Sequence, residues 1–487
     1  MFTGNRGTLL CDYLGGGSRI IIISRDKHIL EAHGVNYVYQ VQLLNHRDAV
    51  KLFSRYAFKT DHIMSDYEKL TIDVLSYVQG HPLVIQVLRA SLCNRNISQW
   101  KSVLARMKDN NSDDIMNVLQ TSFDHLNDLD KEIFLDIACL FNQSPEQDLI
   151  EILKFRGFEP EIGLQNLIDK SLITIKYGVI SMHHMLMDLG KCIVRRKSPN
   201  EPRKWSRLWD FQNLNKVMLE KMGSENLEAI SCSNPHQIAI KVDALSKMSK
   251  LMFLALQCPD VNYYGSLHHL CNELGYLKWQ NYHLKSLPPS FHPINLVELD
   301  LVDSNIKQLW KDRKPLPNLR RLRLCYNKNL MKVPDLGEAL NLSYLDLSGC
   351  EKLRELHPSI GHLRKLTFLY LSYCKSLIKL PHFRDNPSLV QLNLMGCKQL
   401  KEINPSIGLL PKLTFFNLHG CENLVSLPNS ILCLNSLEYL NLSCCSKLFG
   451  IQLLHEPRVE DDMKMLCISE GAICSHSTSS TVKRWFM

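Results

Sequence analysis

Leucine recurs along the second half of the chain in a fixed form, L-x-x-L-x-L. Copies begin at Leu274, Leu296, Leu319, Leu342, Leu366, Leu389, Leu413 and Leu437, with Trp279 and Phe416 each standing in for one leucine. Successive copies start 22 to 24 residues apart. The fourth and sixth positions of each copy point to one side of a short strand and the residues between them to the other, because side chains alternate along an extended backbone. One copy alone cannot bury its leucines. Neighbours must stack, which predicts a curved array of parallel strands with a shared apolar core and a repeating outward face. Such a face is a binding surface rather than a catalytic pocket.

The period lies in the leucine-rich-repeat range. Eight positions after each leading leucine, from the second copy on, stands a small residue: Ser304, Asn327, Cys350, Cys374, Cys397, Cys421, Cys445. Side chains in that column can hydrogen-bond the neighbouring turn or pack as small apolar groups. The rival is redox or metal chemistry, since stacked strands bring sulfurs near disulfide range. A column repeated once per coil describes a ladder, not a tetrahedral cage. Ser and Asn in the same column favour the ladder.

The first half is patterned differently. GGGSRIIIISRD (15–26) holds a β-branched run, Ile20 to Ile23, that reads as a central strand of a parallel sheet buried on both faces. Gly15 to Gly17 precede that strand and open no helix, so they read as a turn rather than a phosphate loop. Arg25 stands at the strand's carboxyl end, where open α/β sheets bind ligands, although such an arginine is more often an ion-pair partner. Helical patterning follows from Asn45, a candidate N-cap, to about Met107, with a stop at Gly80 and a new start at His81-Pro82. EIFLDIACLF (132–141) is apolar nearly all round and reads as a buried helix. SLITI (171–175) and GVISM (178–182) read as a hairpin around Lys176-Tyr177-Gly178, followed by a helix from His184 to Arg195. Helices, hairpin and helix in that order predict a winged-helix domain.

Bulk numbers bound the class. At 487 residues with 45% hydrophobic content the chain holds two or more folded domains. Its 17 cysteines show no C-x-x-C pairs and no zinc-finger spacing, as expected in a reducing compartment. No signal-peptide core and no apolar run of about 18 residues is present, which points to a cytoplasmic or nuclear protein without a membrane span. The net charge of +8 is uneven: residues 274–454 carry 22 Lys and Arg against 13 Asp and Glu. That excess favours acidic partners or is simply a solvated face.

Six ordered blocks carry a family resemblance: GSRIIIISRD (17–26), YAFK (56–59), GHPLVIQVL (80–88), FLDIACLF (134–141), MHHMLMDLGKCIVR (182–195) and SRLWD (206–210). They resemble the later part of the nucleotide-binding switch domain (NB-ARC) of plant intracellular immune receptors of the TIR class, disease resistance proteins with C-terminal leucine-rich repeats. With the repeats, the resemblance spans nearly the whole chain. It implies an ADP/ATP switch, closed with ADP and open with ATP. Carried over, Arg25 matches the arginine that senses the terminal phosphate, Pro82 the proline beside the adenine, and His183 the histidine that holds the ADP β-phosphate. The family's M-H-D reads Met182-His183-His184 here, and the family's Asp helps keep the receptor off, so His184 is a candidate switch-control position. G-L-P-L reads G-H-P-L, with His81, and Thr-Thr-Arg reads Ile23-Ser24-Arg25. Apart from the family, His183 and His184 read as exposed loop histidines.

No G-x-x-x-x-G-K-[ST] occurs anywhere, and no acidic pair follows an earlier strand. Phosphates lack their cradle and Mg²⁺ its holder, so weak or absent nucleotide binding is expected. The chain reads as a partial receptor without TIR domain and phosphate loop. The expected organisation is a remnant of the α/β nucleotide-binding domain (1–44), a helical NB-ARC module (45–112), a winged-helix module (113–205), a linker and repeat cap (206–273), the α/β leucine-rich-repeat solenoid (274–454) and a loose tail (455–487).

The outward positions of the repeats begin acidic, at Glu298, Asp300 and Asp303, and turn basic at Arg320, Arg321 and Arg323. They end aromatic, at Tyr344, Phe368, Tyr370, Tyr373, Phe415 and Tyr439. Large rings suit strands, which is the bland reading. Tyr and Phe as partner anchors, with Arg321 and Arg323 setting orientation, is the functional one. The resemblance implies a pathogen effector or guarded host protein as partner, and self-association of the full-length receptor. A non-switching scaffold or decoy is the alternative. Catalysis is not expected, since the family's NAD-cleaving and ATP-hydrolysing parts match nothing here. Nor is nucleic-acid binding, because the helix from His184 lacks a row of side chains fit to read bases.

Overall fold

The computed structural model describes residues 22–24, 27–32, 37–60, 62–78, 80, 85, 92, 95–108, 119–120, 123–196, 198–219, 224–232, 238–448 and 465–467. They fall into two compact units, Met1–Arg196 and Lys197–Met487.

In the first unit the helices His46–Ala57, Glu68–Val78 and Ile97–Lys108 follow the predicted pattern. Asn45 is the N-cap, its Oδ1 accepting from the Asp48 N–H at 2.9 Å. Asn96 and Gln99 form a reciprocal capping box, at 2.9 and 3.0 Å, that starts the third helix. These helices bury Phe53, Val74, Leu75 and Trp100 in one core, and Met185 joins it from the helix His184–Arg196. Trp100 is its centre, edge-on to Phe53 at 5.9 Å and stacked on Phe58 at 5.7 Å.

The winged-helix reading holds element by element. Helix Asp128–Asp136 continues as a π-turn, Ile137–Phe141, and is buried on most sides. Helices Glu146–Phe155 and Pro160–Asp169 follow. Strands β1 (Thr174–Lys176) and β2 (Val179–Ser181) then pair antiparallel, with Ile175 opposite Ile180. Tyr177 and Gly178 turn the hairpin with φ of 53° and 73°, the two positive values of a type I′ turn. Asp136 is fully buried and paired with the Arg156 guanidinium, so the charge does not stand alone in the core.

The buried strand expected at Ile20–Ile23 is not found where it can be followed. Ile22 and Ile23 lie in no strand, and Ile23 is 93% exposed. A parallel strand is stable only between hydrogen-bonding neighbours, and none pairs with this segment among the described residues.

In the second unit the array is one parallel sheet. Its strands are β3 (Arg207–Leu208), β4 (Ala229–Cys232), β6 (Phe253–Leu256), β8 (Tyr276–Trp279), β9 (Glu298–Asp300), β10 (Arg321–Arg323), β11 (Tyr344–Asp346), β12 (Phe368–Tyr370), β13 (Gln391–Asn393), β14 (Phe415–Asn417), β15 (Tyr439–Asn441) and β16 (Met465–Cys467). Two more, β5 (Ile238–Lys241) and β7 (Val261–Tyr264), pair separately. The region expected as linker and cap thus supplies three strands of the main sheet. Leu251, Leu254 and Leu256 repeat the pattern one period before Leu274, and Leu254 sits beside Leu277. One coil earlier the pattern is blurred, because Ile230 and Cys232 replace leucines. At the other end, residues 465–467 were expected in a loose tail but extend the sheet beside β15. An edge strand offers unpaired N–H and C=O groups, and this segment meets them.

The small-residue column is a hydrogen-bond ladder. Each member donates to the carbonyl of the sixth-position residue in the preceding coil. Ser304 is the weak first rung, its one hydroxyl proton shared between Val302 O at 3.0 Å and Trp279 O at 3.5 Å, while Asn327 Nδ2 reaches Leu301 O at 2.7 Å. The thiols of Cys350, Cys374, Cys397, Cys421 and Cys445 reach Leu324, Leu347, Leu371, Leu394 and Leu418 O at 3.1 to 3.3 Å. The cap repeats it, with Cys258 Sγ on Cys232 O at 3.5 Å. Burial raises the Cys350, Cys374 and Cys397 thiols well above the ordinary range and Cys421 to about 12. No group of three or more potential metal ligands occurs among the described residues.

Two outcomes follow from this ladder. Cys397→Ser should be tolerated and Cys397→Leu should cost on the order of 1–3 kcal/mol by overpacking the turn, read from chemical denaturation. Because folding raises these thiol pKa values, their contribution to stability is complete below the unfolded thiol value, ~8.5, and falls as pH climbs above it. Thiol-reagent labelling at mildly alkaline pH should therefore stay slow at Cys374, Cys397 and Cys421 until the array unfolds.

Candidate functional site

Arg25 and Pro82, two of the three family nucleotide positions, lie outside the described residues, as does His81. His183 is described. It is half-buried at the mouth of the helix His184–Arg196, and its carbonyl accepts from Leu186 N at 2.9 Å and Met187 N at 3.1 Å. Its Nδ1 accepts weakly from Met185 N at 3.3 Å, so it acts as a helix cap. The His184 ring lies against it, centroids 4.5 Å apart. The two are therefore not exposed loop histidines: both are half-buried at the helix start with their rings packed together at a tilt. Behind them Asn142 fixes the entry, its Oδ1 accepting from Met182 N at 2.8 Å.

The described residues do not make an ADP site. One imidazole and one helix start supply far fewer phosphate donors than a nucleotide needs, and the chain carries no G-x-x-x-x-G-K-[ST].

The outward face of the array is fully placed. Strand register aligns Glu298, Arg321, Tyr344, Phe368, Gln391, Phe415 and Tyr439 in one column. A second column runs Asp300, Arg323, Asp346, Tyr370, Asn393, Asn417 and Asn441. Between them Leu322, Leu345, Leu369, Leu392 and Phe416 are fully buried, so the predicted inward and outward register is correct.

The acidic start of that face needs correction. Glu298 and Asp300 point outward but are buried, at 3% and 4% exposure. Long cations from adjacent coils cover them: Lys278 and Arg321 meet Glu298 at 3.0 and 3.2 Å, and Arg323 meets Asp300 at 2.8 Å. Arg321 and Arg323 are thus committed to partners inside the array, which weakens them as orienting groups for an outside protein. Burial still pushes the Asp300 carboxyl up, Arg323 opposing it and Glu298 adding to it.

The aromatics fall into two clusters. Tyr344, Phe368 and Tyr370 pack at 5.5 to 6.3 Å between centroids. Phe415 and Tyr439 stack at 4.6 Å and 4°. All five are half-buried, and burial, then Asp346, pushes the Tyr344 hydroxyl up to about 12. Tyr373 belongs elsewhere, on the turn after β12, with φ of 59° and its ring against Gly396.

Sequence reading missed what the second column does. Asp346, Asn393, Asn417 and Asn441 each accept, through a side-chain oxygen, the N–H two residues on, at 2.9 to 3.1 Å. These are Asx turns that close each strand. Asp or Asn repeating at the fifth position was the available signal. Tyr370 stands in this column without that bond, so the turn does not call for a tyrosine there.

A winged-helix module and a leucine-rich-repeat array on one chain define a multidomain class of protein. Residues 127–198 match the family model of the Disease resistance protein Roq1-like winged-helix domain. The chain is 37% identical over 382 residues to Disease resistance protein RPV1 of Vitis rotundifolia, covering 73% of this chain and 27% of that protein. To TMV resistance protein N of Nicotiana glutinosa it is 34% identical over 358 residues, covering 73% and 31%. The chain therefore spans between a quarter and a third of the curated relatives it matches. Among solved structures, the leucine-rich-repeat domain of the type III effector XCV3220 (XopL) is similar over 53% of this chain and 82% of that chain, at 19% identity and a TM-score of 0.27. The chain belongs to the plant disease resistance proteins of the TIR, nucleotide-binding and leucine-rich-repeat family. No helix among the described residues is long and apolar enough to cross a membrane.

Two positions before Pro82 in the sequence, Gly80 holds φ of +79° and its carbonyl accepts from Leu44 N at 2.9 Å. A Cβ there would run into the Leu44 carbonyl. Gly80→Ala should therefore cost on the order of 1–3 kcal/mol or more, seen as a lower Tm of the first unit.

Proposed function

We propose that this chain is the recognition and relay portion of a plant immune receptor. The repeats contact a pathogen effector or a guarded host protein, and the helical and winged-helix modules relay that event to defence signalling. An ADP/ATP switch belongs to the full-length receptor, with Arg25, Pro82 and His183 as the nucleotide-binding positions in this chain and His184 as the switch-control position. One observation carries the reading of the repeats. Tyr370 occupies a column whose neighbours Asp346, Asn393, Asn417 and Asn441 close turns, so its half-exposed ring serves neither core nor turn. Rigid aromatics so placed are the usual anchors of protein interfaces.

Tyr370→Ala and Phe415→Ala, made in a full-length receptor, should leave the circular dichroism of the array unchanged and abolish effector-dependent cell death. Unfolding of either variant, or unchanged cell death in both, would remove the aromatic face from recognition.

The second reading, a scaffold or decoy that binds partners without switching, is favoured by the lack of G-x-x-x-x-G-K-[ST]. Titration calorimetry of the purified chain with ADP separates the two. Weak or no binding is expected of this chain, and sub-micromolar binding would promote His183, Pro82 and Arg25 to a sufficient site and exclude the scaffold.

A further inference from the structure

Between the two aromatic clusters lies one coil without a ring. β13 presents Gln391 and Asn393 there, with Phe368 and Tyr370 on one side and Phe415 and Asn417 on the other. Strands β12 and β14 are two sheet spacings apart, ~9.6 Å, which is beyond the ~4.5–7 Å of paired rings. The rings indeed pair within their own clusters and not across the gap.

The floor of this gap is chemically one-sided. An amide carries both an acceptor oxygen and a donor nitrogen, and either end could face outward. Here the neighbours decide. The Asn393 oxygen accepts from Met395 N at 3.1 Å and the Asn417 oxygen from His419 N at 3.0 Å. The Gln391 oxygen accepts from the Tyr370 hydroxyl at 2.7 Å. A backbone N–H can only donate, so the two asparagine oxygens cannot be exchanged with their nitrogens. The two asparagine NH₂ groups are left opposite their fixed oxygens, the Gln391 NH₂ does the same while the Tyr370 hydroxyl donates, and none of the three donates to a protein acceptor among the described residues. The gap therefore shows amide NH₂ donors between aromatic walls, with each amide oxygen already engaged; Gln391 and Asn393 are half-buried and Asn417 is 7% exposed.

We propose that this gap binds a side-chain carboxylate on an extended, acidic segment of a partner protein, with Gln391, Asn393 and Asn417 donating to it between the rings. The proposal rests on the reading of this face as the recognition surface and adds its chemistry. A carboxylate accepts several hydrogen bonds at once, and one drawn from outside meets an array with 22 basic against 13 acidic residues in 274–454. A backbone carbonyl could accept one bond but would gain nothing from that excess charge.

The test uses an array of short linear peptides of random sequence, each Asp- or Glu-containing member matched by its Asn or Gln counterpart. It is probed with the purified full-length chain and with variants. Asn393→Asp and Asn417→Asp keep the turn-closing oxygen, as Asp346 does in the same column, but replace a donor with a negative acceptor. The native chain should retain carboxylate members about tenfold more than their amide counterparts, equivalent to ~1.4 kcal/mol. In either Asp variant that preference should vanish or invert, with circular dichroism unchanged. Gln391→Met, which touches no turn, should reduce the preference and serves if an Asp variant fails to fold. Equal retention of acid and amide members, retention of none, or an unaltered preference in the variants overturns the proposal. If Tyr370→Ala abolishes retention while Asn393→Asp leaves the preference intact, the face stands as the recognition surface and the carboxylate slot falls. If neither changes anything, both fall.

Discussion

A single hydrogen bond, repeated once per coil, underlies the array. Every strand ends by exposing the carbonyl of its sixth-position residue just where the chain must turn into the core. Left unpaired and buried, each would cost about 1–3 kcal/mol. The next coil supplies a donor of matching size: a serine, an asparagine, then five cysteines in succession. Asn327 does most, donating also to Leu324 O at 2.9 Å and accepting from Ser304 N at 2.9 Å. Thiols make the weaker bond but bury without penalty, so the later coils lose little by the exchange.

With the turns held from inside by this ladder, a second set of bonds closes them from outside. The Asx residues of the outward face do so, and the residue before each ladder member takes a left-handed conformation from Asp303 to Cys444. Much of a face that reads as free for binding is therefore already spent on the fold. Its N-terminal coils are spent too, since Glu298 and Asp300 lie beneath Lys278, Arg321 and Arg323. What remains half-exposed in these columns from β11 to β14 includes four rings and the amides of Gln391 and Asn393, with Asn417 largely buried beside them. Recognition by so ordered a surface would cost little side-chain entropy.

The first unit is tied together differently. The helix that starts at His183-His184 lends Met185 to the helical core around Trp100 and buries Leu186 and Leu189 besides. A change at the histidine pair is thus one residue away from a side chain that the helical module packs against. In the proposed relay, that adjacency would supply a short mechanical route through packing.

Periodicity alone determined the solenoid, its register, the ladder column and the hairpin with its final helix. Each depends on residues a fixed number of positions apart, and a repeating backbone turns spacing directly into geometry. The same signal reached back to Leu251, but faded where Ile230 and Cys232 took the places of leucines. Only the tertiary structure decided which outward residues remain available. Glu298 and Asp300 are buried by side chains from other coils, and the amide oxygens of Asn393 and Asn417 are engaged by N–H groups that the strand end places beside them. Ile22 and Ile23, apolar enough for a buried strand, stay outside any sheet among the described residues. A strand is made by its neighbours, and burial and orientation depend on which other atoms arrive at the same place.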